Sequence, residues 1–157
     1  MTAAEAVFLS DWAAAAKGSR LYLNAAGIAI DGHGVLIRGA PGSGKSRLAL
    51  DCMDRGAELI ADDGIWIDTG SPPFIERPDT ATDLIESRGV GLLRAGAICG
   101  RARLSLVVDL DRVESDRLPP RRMVTTGNAE TPLILGAGHP TLAAALTHMS
   151  RHGRAEP

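Results

Sequence analysis

Eight consecutive residues restrict this chain more than anything else in it. Gly39-Ala40-Pro41-Gly42-Ser43-Gly44-Lys45-Ser46 matches the phosphate-loop pattern G-x-x-x-x-G-K-S in full. The apolar run Val35-Leu36-Ile37-Arg38 precedes it and reads as a strand. Ser46 to Arg55 follows, with Leu48, Ala49, Cys52 and Met53 at helical spacing and Gly56 placed as a cap. Glycines let successive backbone N–H groups curl around phosphates, and the helix N-terminus adds partial positive charge. Lys45 is positioned to bridge the outer phosphates and the Ser46 hydroxyl to ligate magnesium. Arg47 completes the expected nucleotide-binding set of Gly39 to Arg47. The chain holds two lysines, Lys17 and Lys45, against fifteen arginines. A compact ammonium at Lys45 suits a phosphate site.

A loop of this kind implies an α/β domain, and 157 residues accommodate one domain. A chain this long buries about 70% of the surface it exposes when unfolded, so no metal or disulfide staple is needed. Apolar residues make up 45% and charged ones 23%, as in ordinary globular proteins. Seventeen basic and nineteen acidic side chains give a net charge of -2, which argues against nucleic-acid binding by bulk phosphate neutralisation. No apolar run approaches the 18 residues of a membrane span, and Met1 to Glu5 lacks the basic start of a signal peptide. The expected location is therefore cytoplasmic, with no membrane partner. Cys52 and Cys99 read as buried reduced thiols, and the four histidines show no metal-ligand spacing.

Along the chain, residues 1–18 are alanine-rich, with Val7, Phe8, Leu9 and Trp12 as helical anchors. Leu21-Tyr22-Leu23 and Ile28-Ala29-Ile30 read as strands, and the Asp31 to Gly34 turn makes a hairpin into Val35. Ala57 to Ala61 and Ile65 to Ile67 read as strands around Asp62-Asp63-Gly64. Gly70 to Asp83, with three prolines, reads as a surface loop. Leu104 to Asp109 is the clearest strand, apolar enough to be buried on both faces. Pro140 to Ser150 reads as a helix with Pro140 in its first turn, and residues 151–157 as a fraying tail. Trp12 and Trp66 read as core or interface residues.

Phosphoryl transfer needs a carboxylate to hold magnesium or orient the nucleophile, and the pattern leaves two candidates open. Asp109 ends the strongest apolar strand, whereas Asp62-Asp63 offers paired carboxylates at the end of a weaker one. Glu86 and Arg88, beside Gly89 and Gly91, add a carboxylate and a guanidinium suited to a metal and an anion.

Several segments together resemble the catalytic domain of the HPr kinase/phosphorylase family, whose members transfer phosphate from ATP to a serine of the phosphocarrier protein HPr. The resemblance runs from about Leu21 to Arg117. It rests on Gly34 to Gly39 leading into the phosphate loop, on Leu59-Ile60-Ala61-Asp62-Asp63, and on Ile85-Glu86-Ser87-Arg88-Gly89-Val90-Gly91. The implied fold is a P-loop kinase domain with a mixed sheet and flanking helices, of the HPr kinase/phosphoenolpyruvate carboxykinase type.

By position, the resemblance implies that Lys45 holds the ATP phosphates and that Ser46 with Glu86 serves magnesium, with Asp62 beside them. Asp63 is implied as the base that takes the proton of the attacking serine, and as the acid in the reverse reaction. Arg88 falls in the family's signature segment, and Arg117 resembles a catalytic arginine beyond the long strand. The resemblance favours Asp62-Asp63 over Asp109. It also implies an HPr-like protein as partner, a role in carbon metabolism or a phosphotransfer relay, and a homo-oligomer, hexameric in the family. The chain resembles the short single-domain form. It departs from the family at Asn24, where a histidine is usual, and Arg121 to Asn128 is a loose analogue of the segment linked to dephosphorylation.

Overall fold

The computed structural model describes residues 6–156. A 3-10 turn at Leu9–Trp12 leads to β1 (Ala15–Lys17), β2 (Arg20–Leu23), β3 (Ala26–Ile30) and β4 (His33–Arg38). The phosphate loop then enters α1 (Lys45–Asp54), followed by β5 (Glu58–Ala61), β6 (Ile65–Asp68) and β7 (Phe74–Glu76). A hairpin of β8 (Leu84–Ser87) and β9 (Gly91–Arg94) precedes the long β10 (Arg101–Asp109). The chain closes with β11 (Met123–Thr126), β12 (Ala129–Leu135) and α2 (Leu142–His152).

One mixed sheet holds ten of these strands, eight of them in the order β1-β2-β6-β7-β10-β4-β3-β5, with β12 added on β10 and β11 on β12. The other edge of β10 is shared: its start pairs with β7 and its end with β12. β4, β10 and β12 run parallel, and β5 points the same way because β3 is antiparallel to both β4 and β5. All four therefore present their carboxyl ends at one rim, the usual ligand-binding edge of an α/β sheet.

Side-chain alternation sorts the core into two layers. Val35 and Ile37 face α1 and α2 with Ile28, Ile30, Leu48, Cys52 and Leu146, while Leu36 faces the opposite layer with Leu9, Ile60, Ile67 and Ile75. Along β10, Leu106 and Val108 face the helices, but Leu104 and Val107 share the other layer. A register shift between Leu104 and Leu106 supplies the extra residue that breaks the alternation. The second layer has no helix; the curled sheet and the N-terminal turn cover it. Gly34 permits that closeness, since a Cβ there would lie 2.7 Å from the Arg103 carbonyl oxygen.

Four sequence expectations need correction. The alanine-rich start is a single 3-10 turn and an edge strand rather than a helix. Leu9 is fully buried, and the Gly18-Ser19 turn folds the alanines back onto β2, giving backbone pairing without the cost of nucleating a short helix. Gly70 to Asp83 is not only loop: β7 pairs on both sides and Ile75 is fully buried. Its prolines flank the three-residue strand rather than interrupt it. Pro140 precedes α2, whose N-cap is Thr141. Cys99 is half-buried rather than buried, while Cys52 is enclosed and burial pushes its thiol up to about 11. The expectation for Met1 to Glu5 lies outside the described residues. No helix among those described is long and apolar enough to cross a membrane.

Candidate active site

β4 delivers the chain to the parallel rim, and the phosphate loop turns there into α1. Gly42 and Gly44 adopt φ of +83° and +101°, conformations that L side chains resist, so the two turns of the loop need glycine. Gly39 has no room for a Cβ because the Ser43 side chain lies against it. The Ser43 hydroxyl is buried without a partner among the described residues, and a phosphate oxygen is the acceptor such a loop provides for. Lys45 Nζ donates to the carbonyls of Gly39, at 2.7 Å, and Ala40, at 3.1 Å. The ammonium thus folds over the loop in the region where phosphates bind.

The loop is anchored from behind by a network that sequence reasoning missed. Asp111 Oδ1 accepts the Ala40 N–H at 2.8 Å, and Asp109 Oδ1 accepts the Asp111 N–H at 2.9 Å. Arg38 Nη1 bridges Asp109, at 2.9 Å, and Asp111, at 3.2 Å, while its guanidinium lies 4.4 Å from the Trp12 ring centroid. Asp109 is only 1% exposed and committed to these contacts. The pattern Asp109-Leu110-Asp111 after a buried strand was the available signal, since the second acid falls where it meets the neighbouring loop.

On the other side of the loop, Asp62 follows the buried end of β5. Its Oδ1 accepts a hydrogen bond from Ser46 Oγ at 2.7 Å. Asp62, rather than Asp109, therefore reaches the first turn of α1. Asp63 is exposed at φ +66°, a left-handed conformation costly for a non-glycine residue and often found at functional sites. Gly64 completes the turn, since the Tyr22 hydroxyl occupies the space a Cβ would take. Asn24 is exposed and directly follows β2, one residue past the Leu23–Ile65 pair, at the end of that pair from which Gly64 and the acidic turn lead into β6.

The remaining predicted residues stand further out. Glu86 and Arg88 are exposed on the β8–β9 hairpin, their side chains without a hydrogen bond or ion pair among the described residues. The hairpin is seated by Ile85, which packs in the same layer as Leu48, Ala49 and Cys52 of α1. Arg117 is exposed in the segment between β10 and β11. That segment begins at Asp111 beside the phosphate loop and is braced by a bidentate pair, Arg122 to Glu114 at 2.7 and 2.8 Å. The Arg122 hydrogen bonds hold the Glu114 carboxyl below its ordinary range. No group of three or more acids, histidines or cysteines lies close enough to hold a metal among the described residues. Ser46 and Asp62 nevertheless form a pair of hard oxygen donors, and magnesium takes such pairs together with phosphate oxygens.

Comparison with known proteins identifies the family and the fold. The family described as HPr Serine kinase C-terminal domain matches residues 18–133. An HPr kinase/phosphorylase of Azoarcus sp. (strain BH72) is 37% identical over 117 residues, covering 69% of this chain and 37% of that protein. One from Bordetella pertussis is 41% identical over 100 residues, covering 56% and 32%. The chain thus spans about a third of the length of the curated relatives it matches. Among solved structures, the Hpr(Ser) kinase/phosphatase from Coxiella burnetii superposes with a TM-score of 0.70 at 27% identity, covering 83% of this chain and 88% of that one.

Proposed function

The chain belongs to the HPr serine kinase C-terminal domain family, and from that premise we propose that it is an ATP- and magnesium-dependent kinase acting on a serine of an HPr-like phosphocarrier protein. The observation that carries this reading is the meeting of Ser46 with Asp62, because it sets an acidic turn directly against the phosphate loop. In this reading the protein is cytoplasmic, self-associates as its family does, and regulates carbon metabolism or a phosphotransfer relay.

Each residue has a physical task. The loop N–H groups and Lys45 hold the phosphates, the ammonium exchanging its two carbonyl partners for phosphate oxygens. Ser46 and Asp62 would hold magnesium, and Glu86, on the hairpin seated on α1, would complete the set. Held there, the metal would supply positive charge against that of the nucleotide phosphates. Asp63, exposed at the tip of its turn, accepts the proton of the acceptor serine as that oxygen attacks the γ-phosphorus. The bond from the γ-phosphorus to the bridging oxygen breaks and ADP leaves. In the phosphorylase direction an oxygen of inorganic phosphate attacks the phosphorus of the phosphoserine, the bond to the serine oxygen breaks, Asp63 gives its proton to that oxygen, and pyrophosphate leaves. Arg88 and Arg117 offset charge on the transferred group.

Asn24 favours a second reading, a nucleotide-binding regulatory module with slow transfer. An amide stands just past β2, at the end nearest the acidic turn, and carries no imidazolium charge. Incubation of the full chain with Mg-ATP and the HPr-like protein of the same organism separates the two. A gain of one phosphate on the acceptor, abolished by replacing the acceptor serine with alanine, supports the kinase. No gain with ATP binding intact overturns the HPr-kinase reading and leaves the regulatory module or a kinase of another acceptor, which a search for what the γ-phosphate labels separates.

A further inference from the structure

Halfway along β10 one edge of the strand changes partner. β7 pairs with Arg101 to Arg103 and β12 from Val107 onward, which leaves Ser105 and Leu106 between them. A cleft of about 260 Å³ opens at that gap and reaches the end of α2 at Met149 and Ser150. Its apolar surface comes from Leu106, Ile134 and Met149, the last two only partly buried. His33 also lines it, at the start of β4, whereas the phosphate loop leaves the other end of that strand about 16 Å away.

The mouth of the cleft carries Arg121, Arg122 and Arg154, with Glu156 as its one acid among the described residues. Arg122 is bound to Glu114, and Arg154 Nη2 donates to the Pro119 carbonyl at 2.6 Å. Gly153, at φ +81°, turns the chain out of α2, and Glu156 comes back to the cleft. There its Oε1 accepts a hydrogen bond from Arg121 Nη2 at 2.6 Å, which holds the Glu156 carboxyl below its ordinary range. The pair stays open to solvent, with the two side chains 64% and 50% exposed.

We propose that this cleft binds a small organic acid, whose apolar body lies on Ile134 and Met149 and whose carboxylate takes the place of Glu156 on Arg121. The tail glutamate marks the group the arginine selects, a carboxylate held by a planar fork of N–H donors. An exposed ion pair contributes little to stability, so a competing carboxylate displaces it readily. Apolar contact inside the cleft then favours the ligand over the tail, and over an inorganic anion that has no apolar body. The cleft is separate from the phosphate loop, and Met149, Arg154 and Glu156 lie beyond the residues 18–133 that match the family. It is nevertheless tied to that loop. Arg121 and Arg122 end the segment that Asp111 begins, and Asp111 holds the Ala40 N–H.

The test is a titration of the full chain with benzoate, read from the methyl resonances of its methionines by NMR. The Met149 methyl, assigned by Met149→Leu, is expected to shift saturably. Benzamide, the same ring without the charge, is expected to bind at least about tenfold more weakly. Glu156→Gln removes the competing carboxylate and is expected to tighten benzoate binding by about fivefold. Arg121→Gln is expected to weaken it by at least about fivefold. Both residues are exposed, and circular dichroism checks that the variants keep the fold. No saturable shift of Met149 overturns the proposal, as does equal binding of benzamide or a benzoate affinity that either substitution leaves unchanged.

Discussion

Ser46 Oγ and Asp62 Oδ1 meet at 2.7 Å, tying the first turn of α1 to the end of β5 sixteen residues later in the chain. The next residue, Asp63, is exposed and left-handed. Adjacent carboxylates are thereby set apart: one meets the phosphate loop, the other is open to solvent.

Replacing them separates those roles. Asp63→Asn is expected to lower phosphoryl transfer by about 10²–10⁴-fold, the usual contribution of a general base, with ATP affinity held within a few-fold. Asp62→Asn is expected to raise the magnesium concentration needed for half-maximal rate. Steady-state rates across a magnesium series, with ATP binding in parallel, check both. Full turnover by Asp63→Asn would remove that residue from the mechanism.

Asp109 is a structural residue. Asp109→Ala leaves Arg38 with one of its two carboxylates and the Asp111 N–H without its acceptor. Breaking a buried pair from one side costs about 3–5 kcal/mol. Denaturant unfolding should register a loss of that order, and an unchanged midpoint would contradict the anchoring role.

Asn24 stands just past β2, at the end nearest the acidic turn, without an ionisable group. Asn24→His is expected to raise the transfer rate by about tenfold or more, if an imidazole there assists proton movement. Rates measured from pH 5.5 to 8.5 should also acquire a dependence near the imidazole range. An unaltered rate and profile would show that the position does not touch the chemistry.

Acid stability has a specific contributor. Arg122 holds the folded Glu114 carboxyl below its ordinary value of 4.5, so the folded state favours its ionised form. That stabilisation is complete above pH 4.5 and disappears as pH falls through the lower folded value. Melting temperatures between pH 7 and pH 3 should fall less steeply for Glu114→Gln than for the unmodified chain. Parallel curves would rule the pair out as a source of the pH dependence.

The sequence disclosed the parts of the site whose chemistry is local. A phosphate loop needs its own glycines and lysine, and the turn Asp62-Asp63-Gly64 is bounded by two short apolar runs, so both were legible along the chain. The choice between Asp62 and Asp109 was open in the residue pattern and was tipped only by the family resemblance, because it depends on which strands are neighbours in the sheet. β5 and β10 both end at the same rim, and only the pairing order shows which acid meets Ser46. Trp12 and Asp111 were hidden for the same reason: their partners lie far away in sequence. The β11–β12 hairpin was missed although Gly127-Asn128 is a two-residue turn signal, since Pro132 weakens the strand pattern after it. In the fold Pro132 is exposed and tolerated.

The stacking of Trp12 on Arg38 bears on how the molecule can be divided. The stretch shared with the family starts at residue 18 and stops at 133. A fragment cut at those limits would keep every residue of the phosphate loop, yet lose the ring over Arg38, the buried Leu9 and all of α2. The packed unit therefore extends past the matched stretch at both ends. Its N-terminal boundary lies before Leu9 and its C-terminal boundary beyond His152, so excision by homology alone would yield the motif without the scaffold that shapes it.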